Sequence, residues 1–284
     1  MPELPEVETV RRGLEPELTG QRLTKVTLRR PDLRFTFPRR FAERLTGARV
    51  IRLRRRGKFL LADLNSGETL IMHLGMTGRF LIEHADGEGA PRPGAAANAK
   101  HAHVIFETEA GGNIVFEDAR RFGFMDISRT AKLADHPQLA NLGPEPLDDV
   151  FGEPYLASVF AGRRQAVKSL LMDQTVVAGL GNIYASEALH RAKIAPAKPA
   201  GEIGKRSLTR LVSAIRGVLA EAIASGGSTL RDFASANGSP GYFQHSFRVY
   251  GRAGEPCANP GCGGRIHRTV QAGRATYHCP VCQR

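Results

Sequence analysis

The 284-residue sequence has no apolar run approaching the roughly 18 residues that would mark a membrane-spanning helix. Its first eight residues, Met1-Pro2-Glu3-Leu4-Pro5-Glu6-Val7-Glu8, are acidic and interrupted by proline, the opposite of a secretory signal. Both absences predict a cytoplasmic protein with no membrane partner. Cysteine is missing from everything before position 257, and in a chain without a secretory signal such clustering argues for metal ligation over disulfides. Acidic residues are outnumbered, 28 Asp and Glu against 40 Lys and Arg, which leaves a net charge of +12. That excess implies a polyanionic partner, most simply nucleic acid, because phosphate neutralisation supplies most non-specific affinity. Lysine is scarce, and an arginine bias suits bidentate phosphate contacts, but it also follows from GC-rich coding. The net charge is therefore the stronger indicator. The remainder, 42% hydrophobic and 24% charged, is ordinary for a globular chain long enough for two domains.

Organisation changes along the chain. After an initial helical stretch, residues 22–29, 48–54, 58–64, 69–74, 79–83, 102–107, 113–117 and 122–127 are short runs rich in Val, Ile, Leu and Phe separated by Gly, Asn, Asp or Pro. So many strands with little helix predict an antiparallel sandwich or barrel. The segment 85–100 has no periodicity and is expected to be a mobile loop. Punctuation by His136-Pro137 and Leu142-Gly143-Pro144-Glu145-Pro146 marks a linker. Helical spacing follows at 154–161, 164–173, 183–191 and 207–224, most clearly in Leu208, Leu211, Val212, Ile215, Val218, Leu219 and Ile223. Gly226-Gly227 ends the last helix, and a loop rich in Gly, Ser and Asn runs to about 245. The expected division is a β-sandwich domain at 1–130, a linker at 131–150, a helical domain at 151–245 and a cysteine module at 246–284.

Several stretches carry chemistry. Loss of Met1, favoured by the small Pro2 side chain, would leave a secondary amine flanked by carboxylates. An α-amino group titrates near pH 8 and is partly nucleophilic at neutral pH. On an aldehyde-level carbon, such an amine gives an iminium, an electron sink suited to elimination. The same residues also read as a helix start, with proline and acidic side chains in the first turn and an apolar face at Leu4, Val7, Val10 and Leu14. Both hold together if a helix terminus carries the nucleophile. In the basic stretch Arg52-Leu53-Arg54-Arg55-Arg56-Gly57-Lys58, strand alternation puts Arg52, Arg54 and Arg56 on one face, ordinarily a solvated one. Met72-His73-Leu74-Gly75-Met76-Thr77-Gly78 is an apolar strand entering a turn, where Met and His are ordinarily structural. Asp118-Ala119-Arg120-Arg121-Phe122-Gly123, read alone, puts Phe122 in a core strand. Gly179-Leu180-Gly181-Asn182 suits a turn whose amides and helix N-terminus grip a phosphate. Cys257-x4-Cys262 and Cys279-x2-Cys282 are a four-cysteine zinc pattern, each pair supplying half a tetrahedron, with His267 and His278 as further candidate ligands.

Taken together, Met1 to Glu8, Lys58, the His73 and Arg120 stretches, Gly179-Leu180-Gly181-Asn182 and the cysteine tail resemble the formamidopyrimidine-DNA glycosylases, in matching order over nearly the whole chain. The resemblance implies an α+β fold of two domains: an N-terminal antiparallel β-sandwich with an N-terminal helix, and a helix-two-turns-helix domain with a zinc-finger β-hairpin. It implies a monomeric, nucleoid-associated bifunctional glycosylase and lyase, binding double-stranded DNA that contains oxidised purines or abasic sites in a basic cleft between the domains. Pro2 would be the nucleophile, Glu3 the general acid, Glu6 the orienting carboxylate and Lys58 the catalytic lysine. His73, Asn182 and Arg274 would hold phosphates, while Met76, Arg120 and Phe122 would fill the stack emptied by an everted base. One structural zinc ion would sit on Cys257, Cys262, Cys279 and Cys282, although four residues separate the first pair where many relatives have two. Two alternatives stay open. One is the endonuclease VIII branch, directed at oxidised pyrimidines and disfavoured by Leu4 and the long 228–243 loop; the other is a DNA-binding relative without catalysis, disfavoured by the presence of Glu3, Glu6 and Lys58.

Overall fold

A computed structural model describes residues 1–84, 99–228 and 241–284. Most of the expected loops at 85–100 and 228–243 therefore lies outside the described residues. The chain divides into two compact units, Met1–Ala140 with Gly226–Tyr242, and Asn141–Ser225 with Phe243–Arg284. Gly226–Tyr242, expected with the helices, groups with the first unit, and the cysteine module packs into the second.

The first unit opens with helix α1 (Leu4–Leu18). Leu4, Val7, Val10, Leu14 and Leu18 recur at helical spacing and are all buried, while Glu8 on another face pairs with Arg11 at 3.0 Å and Arg12 at 2.9 Å. The eight expected strand stretches all form strands: β1 (Leu23–Leu28), β2 (Val50–Arg56), β3 (Phe59–Leu64), β4 (Glu68–His73), β5 (Arg79–Glu83), β6 (Ala102–Thr108), β7 (Asn113–Glu117) and β8 (Phe124–Arg129). They make two antiparallel sheets, ordered β1-β6-β7-β5 and β2-β3-β4-β8. One core holds them together, with Val26, Phe80, Val104, Phe106 and Phe116 from the first sheet meeting Leu53, Leu60, Leu70, Met72 and Met125 from the second. Val7, Val10 and Leu14 of α1 join the same core. A short helix α2 (Phe41–Leu45) was not foreseen, because five residues are too few to display a period. Strand β8 starts at Phe124, not 122: Arg121 adopts a left-handed φ of 55° and takes Phe122 out of the strand.

The second unit contains α3 (Glu153–Phe160), α4 (Val167–Met172), α5 (Asn182–Arg191) and α6 (Lys205–Ala224), then a hairpin of β9 (His267–Gln271) and β10 (Arg274–His278). The α6 stripe from Leu208 to Leu219 is buried as its periodicity requires. Gln271 pairs directly with Arg274, so Ala272 and Gly273 form a two-residue turn, both at positive φ, as a tight hairpin demands. The buried Glu187 on α5 captures the stretch before the hairpin: its Oε1 accepts N–H bonds from Val249 at 3.0 Å and Tyr250 at 2.9 Å, and its Oε2 accepts one from Arg248 at 3.0 Å. Among the described residues, no helix is long and apolar enough to cross a membrane.

Candidate functional site

In the first unit, Pro2 precedes α1 and is half-buried, and the neighbouring Glu3 and Glu6 are only 3% and 2% exposed. Glu6 Oε2 accepts the Glu3 N–H at 2.9 Å, and its Oε1 accepts both the N–H and the hydroxyl of Ser228 at 2.9 Å. Both carboxylate oxygens are thus used to fix the chain around Pro2. Ser228 had not been singled out in the sequence; a serine in a Gly-rich stretch gives no signal of so distant a partner.

Lys58 is buried at the tight turn from β2 to β3, where Gly57 has a φ of 55°. His73, at the end of β4, packs against Phe59 and stacks on Phe124 with ring centroids 4.9 and 5.5 Å away. Burial, and then the Lys58 and Arg34 cations, lower its pKa to about 4. Its Nδ1 accepts the Gly75 N–H at 3.0 Å, so at neutral pH the ring is uncharged and Nε2 bears the proton. A neutral N–H donor next to a lysine suits a phosphate oxygen. The arginine run, by contrast, is partly neutralised within the protein. Arg52 and Arg54 both bind Asp63, at 2.6 and 2.7 Å, and although burial works to raise that carboxylate, these bonds hold it at about 2.

Met76 and Phe122 are 39% and 43% exposed, unusual for large apolar side chains, and the Arg120 guanidinium lies 4.6 Å from the Phe122 ring centroid. The core-strand reading of Phe122 is thereby excluded. The two loops touch through their backbones: a Cβ on Gly75 would lie 2.3 Å from Gly123 N, so only glycine fits there.

In the second unit, Asn182 is the first residue of α5. Its Nδ2 donates to the Ala275 carbonyl of the hairpin at 3.0 Å, and its Oδ1 accepts Lys168 Nζ at 2.6 Å. Lys168 is only 2% exposed and also donates to Thr276 Oγ1 at 2.6 Å. In sequence this lysine carries no signal, because one cation in an apolar helix ordinarily points to solvent. Arg274, next to Ala275, is exposed at the hairpin tip.

The Sγ atoms of Cys257, Cys262, Cys279 and Cys282 lie within 4.8 Å of one another. The Cys257 to Cys282 and Cys262 to Cys279 separations are 3.7 and 3.6 Å. A tetrahedral ion with Zn–S bonds of about 2.3 Å spaces its sulfurs about 3.8 Å apart, so the four thiols fit zinc despite the widened first pair. Burial and the neighbouring cysteines push the Cys257 thiol up to about 12, a penalty that a bound cation would relieve. His267 and His278 are not in the cluster; their rings meet edge-on across the hairpin, with centroids 6.3 Å apart. His190 of α5 is unexpectedly adjacent, with Nε2 3.2 Å from Cys257 Sγ.

Comparison with known proteins accounts for both units. Residues 1–125 match the formamidopyrimidine-DNA glycosylase N-terminal domain, and residues 142–234 match the H2TH domain of the same glycosylases. The chain belongs to the formamidopyrimidine-DNA glycosylase family. Among curated members, the formamidopyrimidine-DNA glycosylases of Phenylobacterium zucineum and Caulobacter vibrioides are each 59% identical, over 100% of both chains. A Lactococcus lactis FPG mutant in complex with Fapy-dG-containing DNA superposes with a TM-score of 0.87 at 35% identity, covering 100% of each chain. The MutM (FPG) protein from Thermus thermophilus does so with a TM-score of 0.85 at 41% identity, covering 99% of this chain and 98% of that one. The family fold, a β-sandwich with an N-terminal helix and an H2TH domain carrying a cysteine-bearing hairpin, is the one described above.

Proposed function

We propose that this glycosylase repairs DNA by excising oxidised purines, formamidopyrimidines and 8-oxoguanine, and then cleaves the abasic strand, with Pro2 as its nucleophile. The observation that carries the assignment is the pair of buried carboxylates that follow Pro2 in the chain, Glu3 and Glu6, the second of them bonded to the Glu3 N–H and to Ser228. Removal of Met1 frees the secondary amine, which Glu6 holds in position. The everted nucleoside presents C1′ to the Pro2 nitrogen. The C1′–base bond breaks as the bond from the Pro2 nitrogen forms, the amine proton leaving with the base; Glu3 then protonates the ring oxygen as the C1′–O4′ bond opens and the Pro2 lone pair completes the iminium. The resulting iminium acidifies the C2′ protons, so the 3′ phosphate and then the 5′ phosphate are eliminated. Lys58 and neutral His73 hold phosphate near the lesion, and Met76, Arg120 and Phe122 occupy the vacated stack.

The second unit grips the duplex through Asn182 and Arg274. Cys257, Cys262, Cys279 and Cys282 would hold one structural zinc ion, whose contribution is folding free energy for the hairpin, since four thiolates close the coordination shell. The working unit is a monomer on double-stranded DNA in the cytoplasm of a prokaryote.

Borohydride reduction during turnover of an 8-oxoguanine duplex tests the assignment. The expected product is a protein–DNA adduct that peptide mapping places on Pro2, and none should form when Met1 is retained, because an acylated proline has no lone pair for attack. An adduct mapped to Lys58, or undiminished cleavage by the N-terminally blocked protein, would defeat it.

A further inference from the structure

Asp118 has no accessible surface, yet it bonds both the loop that carries exposed Met76 and the loop that carries exposed Phe122. Its Oδ1 accepts the Thr77 hydroxyl at 2.5 Å and the Arg120 N–H at 3.3 Å, and its Oδ2 accepts the Gly123 N–H at 2.7 Å. Thr77 Oγ1 in turn accepts the Arg120 N–H at 3.2 Å. The Asp118 backbone is held as firmly, since its N–H donates to His101 O at 3.1 Å, and its carbonyl accepts from Arg121 N at 3.2 Å and lies 2.9 Å from His103 Nε2. Thr77 directly follows Met76, while Arg120 and Gly123 bracket Phe122. A single buried carboxylate therefore ties the Met76 loop to the Arg120–Phe122 loop, and it does so where their backbones already touch at Gly75 and Gly123.

This arrangement answers a mechanical requirement. A side chain that enters a duplex works against stacking of a few kcal/mol per base step, so a compliant loop would bend aside before the bases separate. Exposed Met76 and Phe122 receive little packing support of their own, and the left-handed φ of 55° at Arg121 is a conformation that needs holding. Charge-assisted bonds to a buried carboxylate supply that stiffness.

We propose that Asp118, acting through Thr77, is the positioning residue that locks Met76, Arg120 and Phe122 into one rigid wedge for base eversion. The proposal rests on the reading of those three side chains as the stack-entering group. Asp118 touches no reacting atom. Its effect is confined to substrates in which a paired, stacked base must be displaced.

The test compares two substrates: 8-oxoguanine in a duplex, which requires eversion, and a preformed abasic site in a single-stranded oligonucleotide, which has no opposing strand to displace. Thr77→Val is isosteric and deletes only the hydroxyl; Thr77→Ser keeps it. Thr77→Val and Asp118→Asn should lower duplex excision by roughly tenfold or more, the effect of losing one hydrogen bond to a charged group. Single-strand cleavage should be little changed, and Thr77→Ser should retain duplex activity. A 2-aminopurine placed opposite the lesion should brighten on binding of wild type and Thr77→Ser but not of Thr77→Val. Equal losses on both substrates would reveal a merely structural role and overturn the proposal, as would normal duplex excision by Thr77→Val. Should Asp118→Asn fail to fold, the Val and Ser variants of Thr77 decide alone. Phe122→Ala separates the proposal from its premise. Impaired Phe122→Ala beside normal Thr77→Val sinks the clamp alone, whereas normal Phe122→Ala excision removes the wedge and the clamp with it.

Discussion

Glu6 and Ser228 are joined by two hydrogen bonds across 222 positions of sequence, the N–H and the hydroxyl of Ser228 both donating to Glu6 Oε1 at 2.9 Å. Because Glu6 Oε2 also holds the Glu3 N–H, the position of Pro2 depends on a residue at the far end of the same unit. Ser228→Ala deletes one of these bonds and is expected to cost about 1 kcal/mol of stability. Glu6→Gln replaces an acceptor with a donor facing buried N–H groups, and about 1 to 3 kcal/mol should be lost. Trapping by borohydride should slow in both, more in Glu6→Gln. Calorimetry with timed trapping measures the pair, and a wild-type trapping rate in Glu6→Gln would contradict an orienting role.

Phe122 and Phe116 make a matched comparison. Phe116 is 1% exposed in the sandwich core, whereas Phe122 is 43% exposed. Truncating a buried Phe costs about 3 to 5 kcal/mol, so Phe116→Ala should be destabilised by that order. Phe122→Ala should melt close to wild type while excising lesions poorly from duplex DNA. Paired melting and excision curves distinguish the two, and a large stability loss in Phe122→Ala would return that residue to the core.

His73 gives the stability of the first unit a pH dependence of known sign. Its folded pKa of about 4 lies below the ordinary 6.5, so the unfolded chain binds the additional proton between these values. Stability is therefore full above pH 6.5 and falls as pH drops toward 4, by at most about 3 kcal/mol. Urea midpoints at pH 7 and pH 5 should differ more in wild type than in His73→Gln. An identical difference in both proteins would show that other groups carry the effect.

The legibility of the chain follows the range of each interaction. Strands β1 to β8 are short apolar runs between turn residues and α6 repeats a helical stripe, so their own segments declare them. The cysteine pairs are legible too, because a short ligand spacing is local information, whereas Lys58 stands out only through the family resemblance. Lys168, Ser228, Asp118 and His190 are not legible. Each is an ordinary residue in its own segment and acquires a role only from a partner far along the chain, such as Thr276 for Lys168 or Cys257 for His190. Phe122 shows the reverse error: an apolar residue among strand formers reads as core until the left-handed Arg121 takes it out of the strand. The widened Cys257 to Cys262 spacing still lets the four sulfurs gather, with Cys257 to Cys282 at 3.7 Å and Cys262 to Cys279 at 3.6 Å.

The hairpin provides the last prediction. Residues from His267 to Gln271 are mostly exposed, and among the described residues a small cluster of Val249, Ile266 and Cys279, with Tyr277 packed against it, supports the module. So little apolar surface adds few kcal/mol to the Asn182 and Lys168 bonds that hold β10, and metal binding should supply most of the remaining folding free energy. Cys279→Ser should therefore lose the metal, disorder the hairpin and weaken duplex binding. Arg274→Ala should act differently. Its ring of thiolates is intact, and Asn182 still holds Ala275 at 3.0 Å, so metal content should equal that of wild type. Only one phosphate contact would be missing, which weakens binding to all sequences alike and flattens the slope of log affinity against log salt by about one. Metal analysis combined with salt-titrated binding separates the two variants. A metal-free Cys279→Ser protein with normal affinity would refute the structural role of the metal, and an unchanged salt slope in Arg274→Ala would remove that arginine from the DNA contact.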